Sequence, residues 1–181
     1  MMVKFNNVAA QWDIIKEECL PKIEKFLEYG DYIENNIVTE FEHNFAEYIG
    51  CTHAIAVSNG TNALKLSLQA LNLQGRTCVI IPANTFISNY DNVVVIPVHL
   101  YGYPSNLERI MSLCNLYQAY IIEDCSQAHG ATIRIGKVGN FGELSVFSCY
   151  AGKNLGAAGE AAVITTNNDE LNTAVRELRN L

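Results

Sequence analysis

Tyr120-Ile121-Ile122-Glu123-Asp124-Cys125-Ser126-Gln127 is an apolar run of strand length that breaks off into polar and ionisable residues. Its β-branched centre suits a strand covered on both faces. Asp124 closes the run, which places its carboxylate at the strand's C-terminal edge, where open α/β sheets bind ligands. Similar short apolar runs occupy residues 54–57, 78–81, 93–96, 144–147 and 162–165. Helical spacing separates several of them, at 62–71, 107–117 and 169–178. Upstream, residues 11–29 carry Ile14, Ile15, Cys19, Leu20, Ile23, Phe26 and Leu27 at helical intervals, with Pro21 as an interior feature that kinks or divides the helix. Residues 38–49 predict a second helix with Phe41, Phe45, Ala46 and Ile49 on one face, stopped by Gly50. Strands alternating with helices imply an α/β three-layer sandwich around a mostly parallel central sheet.

Bulk properties narrow the function. With 181 residues, 49% of them hydrophobic, the chain suits one domain with a sizeable core and excludes disorder. A formal charge of −7 with only 12 scattered Lys and Arg argues against nucleic acid as a partner. The six cysteines form no C-x-x-C pair and several lie in apolar runs, which reads as reduced structural thiols in a cytoplasmic protein. No signal peptide is visible at the N-terminus, and no apolar run approaches the ~18 residues of a membrane span. Asn59-Gly60-Thr61 fits a glycosylation acceptor in form only, since nothing points to secretion. Four dispersed histidines do not make a metal site; His43, His53 and His99 read as structural.

Three segments carry chemistry. The run at 54–57 enters Ser58-Asn59-Gly60-Thr61 and then a helix, whose free N–H groups and positive dipole end form an anion site that Gly60 lets a ligand approach. Asp124 ends its strand with a carboxylate able to keep a pyridine nitrogen protonated. Lys153 lies in Phe147-Ser148-Cys149-Tyr150-Ala151-Gly152-Lys153-Asn154-Leu155-Gly156, a glycine-flanked stretch with little other charge. There an amine can form a Schiff base with an aldehyde cofactor and also serve as general base. No G-x-x-x-x-G-K-[ST] occurs, and Gly156-Ala157-Ala158-Gly159 is not a dinucleotide fingerprint.

The wording of these segments, with Asn62-Ala63-Leu64, Pro97-Val98-His99-Leu100-Tyr101-Gly102 and Ala128-His129-Gly130-Ala131, resembles the DegT/DnrJ/EryC1/StrS family of nucleotide-sugar aminotransferases, in the family's order from about Phe5 to Leu181. The resemblance implies the large, pyridoxal-phosphate-binding domain of a fold-type-I aminotransferase over residues 1–181. It implies that Gly60, Thr61 and Ser148 hold the cofactor phosphate, that Phe86 stacks on the pyridine ring, that Asp124 pairs with the ring nitrogen, and that Gln127 lies near the ring oxygen. Lys153 is the implied Schiff-base anchor, and lysine rather than histidine there favours transamination over dehydration. His129 is given a structural hydrogen-bonding role. The implied reaction moves an amino group from glutamate, by way of pyridoxamine phosphate, to C3 or C4 of a keto-6-deoxy sugar on a nucleoside diphosphate, in a homodimer with shared active sites.

Some features depart from the family. After Asn89 the chain reaches Val93 with no further helix and strand, an absence of roughly thirty residues, or one βα unit; we read it as a segment left out rather than a deletion within the sheet. The helical pattern ending at Leu181 leads toward the family's small domain, which the chain lacks. Ala151 and Glu160-Ala161-Ala162 stand where proline and glycine-rich wording are frequent, which touches loop stiffness more than chemistry. The opening Phe5-Asn6-Asn7-Val8 is closer to the 3-amino-sugar enzymes. A noncatalytic cofactor- or sugar-nucleotide-binding relative and a nucleotide-sugar oxidoreductase are the rival readings.

Overall fold

The computed structural model describes residues 7–30, 32, 36–73, 79–82 and 94–180. Its helices are α1 (Val8–Tyr29), α2 (Asn36–Ile49), α3 (Gly60–Ala70), α4 (Leu107–Tyr117) and α5 (Asp169–Arg179). The strands are β1 (His53–Val57), β2 (Val79–Ile80), β3 (Val94–Val95), β4 (Tyr120–Asp124), β5 (Thr132–Ile133), β6 (Gly136–Lys137), β7 (Leu144–Ser148) and β8 (Ala162–Thr166). The chain separates into two compact units, residues 1–41 and 42–181. In the first, α1 runs unbroken through Pro21 and ends on Gly30 in the left-handed conformation, with φ 68°. The expected kink did not divide it, although a proline there removes the hydrogen bond to the carbonyl of Glu17. No helix of the described residues is long and apolar enough to cross a membrane.

In the second unit a six-stranded sheet has the order β1-β8-β7-β4-β3-β2. Strands β2, β3, β4 and β7 pair in parallel, whereas β8 is antiparallel to both β7 and β1. The architecture is therefore the expected mostly parallel α/β sheet. The reversal of β8 follows from its connection. A loop with no crossover helix joins it to β7, so the chain returns beside the strand it has just left. A short ribbon, β5 with β6, stands apart from the sheet and went unpredicted.

Side-chain alternation along the strands builds the layers. Ile55, Val57, Ile122, Leu144, Val146, Ala162 and Ile164 face one way and pack with Ala63 and Leu68 of α3 and Val175 of α5. Ala54, Phe147 and Val163 face the other way, against Phe45, Ala46 and Ile49 of α2. Gly50, at φ 90°, ends α2 in a conformation that favours glycine.

Helix α5 begins with Asn168, whose side chain accepts the N–H groups of Glu170 and Leu171 at 2.8 and 3.0 Å. Its last turn carries Arg176 and Arg179, whose charge suits that end of the dipole. Both reach the buried Glu42, at 2.9 Å each, and the N–H of Ala56 donates to the same carboxylate at 2.8 Å. One carboxylate thus ties α2, α5 and β1 together. Substituting Glu42→Ala removes the carboxylate that both guanidinium groups share. We expect it to destabilise the fold by about 2–4 kcal/mol in urea unfolding, with little change in the transition slope.

Candidate active site

Period-two alternation decides which residues of the strand ends share a face. Asp124 pairs with Val146 in the parallel register, and Ser148 lies two residues further along β7. All three therefore project to the side packed by α3 and α5. At that point α3 comes close enough that a Cβ on Gly60 would stand 3.1 Å from Ser148 Cβ and 3.3 Å from its Oγ. Any larger residue at position 60 would push Ser148 aside.

The start of α3 is only partly capped. Asn59 accepts the N–H of Asn62 at 2.9 Å, and the Asn62 amide donates to Ser58 Oγ at 2.7 Å. The N–H groups of Gly60 and Thr61 have no partner among the described residues. Ser148 Oγ accepts the N–H of Tyr150 at 3.4 Å, which leaves its own proton to donate. Unpaired N–H groups, a hydroxyl proton and the positive end of an 11-residue helix make a cradle for an anion. Gly60 and Ser148, two of the three residues expected at a phosphate, lie side by side in the structure.

Asp124 is half-buried and held from both sides. Its N–H donates to Pro97 O at 2.9 Å, its carbonyl accepts from His99 at 3.0 Å, and the N–H of Ser126 donates to Oδ1 at 3.0 Å. Oδ2 has no partner among the described residues. Gln127 follows, with Oε1 accepting the N–H of Tyr101 at 2.8 Å.

Glu123 projects to the opposite face and is fully buried. Its carboxylate accepts the N–H groups of Gly139, Phe141 and Gly142 at 2.9, 2.7 and 2.9 Å, the hydroxyl of Ser145 at 3.2 Å and Nε2–H of His99 at 3.2 Å. Burial alone would raise its pKa, but His99 and those backbone donors outweigh it and hold the carboxyl below its ordinary value. Sequence reading missed this group. The only signal was a second acid at a strand end, and alternation alone would have sent it to the other face. His99, Glu123 and Cys125 offer ligand atoms within 4.8 Å of one another. Both Glu123 oxygens are engaged by protein donors, so Glu123 and His99 form a hydrogen-bonded support, and burial first, then the charges of Glu123 and Asp124, hold the Cys125 thiol well above its usual range.

Lys153 is half-buried in the loop after β7, braced by its N–H to Tyr150 O at 2.8 Å. Four positions earlier, burial pushes the Cys149 thiol up to about 11, so the thiol is protonated at neutral pH and does not compete as nucleophile. His129 packs against Phe147 with the rings tilted by 60° and their centroids 5.3 Å apart. Neither of its ring nitrogens has a hydrogen-bond partner, so the hydrogen-bonding role expected of it is not made within the described residues. Burial first, and the charge of Lys153 second, lower its pKa to about 4. Lys153 and His129 therefore lie within electrostatic reach of one another. Phe86 lies outside the described residues, as does the junction after Asn89.

A family model described as the DegT/DnrJ/EryC1/StrS aminotransferase family matches residues 13–95 and 89–181. The UDP-N-acetyl-3-dehydro-α-D-glucosamine 3-aminotransferase of Acidithiobacillus ferrooxidans is 32% identical over 207 residues, which take in 96% of this chain and 56% of that protein. The crystal structure of DesV from S. venezuelae, in complex with a ketimine intermediate, superposes with a TM-score of 0.92 at 29% identity, covering 98% of this chain and 57% of that one. NtdA from Bacillus subtilis, with its cofactor PMP bound, gives a TM-score of 0.86 at 27% identity, over 96% of this chain and 47% of its own. The chain thus spans about half the length of the relatives it matches.

A histidine held neutral by the fold makes stability pH-dependent. The unfolded chain binds a proton near the ordinary value of 6.5, the folded one near 4, so stability falls as pH falls through that window. Replacing His129→Phe should remove about one proton from the linkage between those pH values, measured as a shallower fall of unfolding free energy with acid.

Proposed function

This chain belongs to the DegT/DnrJ/EryC1/StrS aminotransferase family, and we propose that it is the cofactor-binding part of a pyridoxal-phosphate-dependent nucleotide-sugar aminotransferase. The observation that carries the reading is the contact of Gly60 with Ser148. It sets the unpaired N–H groups of α3 against the end of β7, five residues before Lys153 and beside the strand that ends in Asp124. An anion cradle, a carboxylate and a half-buried amine at one edge of a sheet suit a phosphorylated pyridine aldehyde.

When bound, pyridoxal phosphate supplies an electron sink for the bond broken at the substrate's amino-bearing carbon and a store for the amino group. The chain's residues do the rest. Gly60 and Thr61 offer backbone N–H groups, and Ser148 its hydroxyl, to the phosphate. Asp124, whose carboxylate is oriented by Ser126, would keep the ring nitrogen protonated. Gln127 would donate to the ring oxygen, and the resemblance assigns Phe86 to the ring face. Lys153 would hold the cofactor through Nζ and would serve as the base that moves a proton at the substrate carbon.

We further propose glutamate as amino donor and a keto-6-deoxy sugar of a nucleoside diphosphate as acceptor, aminated at C3 or C4. The 3-amino product named for the Acidithiobacillus relative favours C3. The protein would act in the cytoplasm as a homodimer, with residues 1–181 forming its large domain. The relatives' additional length supports a further domain.

The test is the visible absorbance of the protein mixed with pyridoxal phosphate, followed by borohydride reduction and peptide mapping. We expect a band that reduction fixes onto Lys153. Lys153→Ala should abolish the band and turnover while leaving thermal unfolding within a few degrees of wild type, and full activity in that variant would sink the assignment. Asp124→Asn should reduce kcat by at least about 100-fold with little loss of cofactor affinity, since it removes a charge needed in the chemistry and not in phosphate binding.

A further inference from the structure

We propose that the turn from Val98 to Ser105 is a positioning element for the site, and that the buried His99–Glu123 pair sets the orientation of the Gln127 amide through it. The proposal rests on the reading of Asp124 and Gln127 as contacts of the cofactor ring.

The turn contains an outlier. Tyr101 has φ 56° and ψ 24°, a left-handed conformation unfavourable for any residue but glycine. Its side chain is 84% exposed, so packing does not hold it there. Backbone hydrogen bonds do. The N–H of Tyr101 donates to Gln127 Oε1 at 2.8 Å, and the N–H of Tyr103 closes the turn onto Leu100 O at 3.0 Å.

Both ends of the turn are fastened to the strand that carries Asp124. At the start, Val98 bridges Asp124 in parallel, and the N–H of His99 donates to Asp124 O. At the end, the N–H of Ser105 donates to His99 Nδ1 at 3.1 Å. A ring nitrogen that accepts carries no proton, so the imidazole proton is on Nε2, where it donates to Glu123 Oε2. Glu123 and His99 are both fully buried. His99 therefore links the start of the turn, its end and the sheet.

The consequence falls on Gln127. A backbone N–H can be met only by the oxygen of an amide, so the Tyr101 contact fixes which way Gln127 points. Its NH₂ has no partner among the described residues and is the half of the amide left for a ligand. An anionic ring oxygen needs a donor there; the reversed amide would present an oxygen and repel it. His99 touches neither substrate nor cofactor and acts through Tyr101.

Two readouts on the full-length protein test this. The first is amide hydrogen exchange at Tyr101 without cofactor. Protection is expected in wild type and in Gln127→Glu, whose carboxylate still accepts, with about tenfold faster exchange in Gln127→Ala and in His99→Gln, the change expected for one lost hydrogen bond. The second is the pH titration of the visible band with pyridoxal phosphate. Gln127→Glu should move its midpoint upward by about one pH unit, and His99→Gln should move it in the same direction with Gln127 intact. Equal exchange at Tyr101 in wild type and Gln127→Ala overturns the proposal, as does a folded His99→Gln protein with an unmoved titration. Should His99→Gln fail to fold, the two half-buried Gln127 variants still decide the matter. A wild type that binds pyridoxal phosphate with Tyr101 unprotected overturns this inference alone, whereas a wild type with no band overturns the cofactor reading and the inference with it.

Discussion

A carboxylate without solvent, Glu123, is the constraint around which the site is built. An ion in that position costs several kcal/mol of lost hydration unless donors replace the water. Here they come from the 139–142 turn, from Ser145 on β7 and from His99. The donors come from three stretches of chain, so satisfying one charge holds β4, β7 and two loops in one arrangement. Charge-assisted bonds of this kind are short and directional, and they fix geometry as well as contribute stability.

Because side chains alternate along a strand, Glu123 behind the sheet implies Asp124 in front of it. The same alternation on β7 sends Phe147 back toward α2 and Ser148 forward to Gly60. The rear of the sheet is thus packed and hydrogen-bonded, while the forward edge keeps unpaired donors and a half-buried lysine. Rigid support behind and unsatisfied polar groups in front is the arrangement a ligand site needs.

Connection chemistry completes the edge. Parallel strands need crossovers, which occupy the faces and leave the C-terminal ends open. The β7–β8 link has no helix to spend and folds instead as a loop, with Ala157 N–H on Cys149 O and Ala151 N–H on Gly159 O, at 2.8 and 3.1 Å. That loop holds Lys153 at the sheet's edge. Glu42 does comparable work at the other end of the unit, drawing α2, α5 and β1 onto one charge.

Local chemistry was sufficient to read much of this in the chain. The apolar runs ending at Asp124 and Ser148, the capped start of α3 and the glycine-flanked Lys153 each follow from neighbours in sequence, because strand alternation, helix capping and glycine freedom are short-range effects. The β5–β6 ribbon was hidden, since two-residue strands are too short to show a period. The roles of Glu123, His99 and Glu42 were hidden for a different reason: their partners lie 14 to 137 residues away. Nothing in a strand's own pattern says which turn will bring its N–H groups to a buried acid. Residue types and spacing therefore determined the fold class and the chemistry available at the sheet's edge, whereas only the tertiary structure decided that Glu123 is the buried, fully hydrogen-bonded carboxylate behind the sheet, because that depends on desolvation and on donors supplied from distant segments.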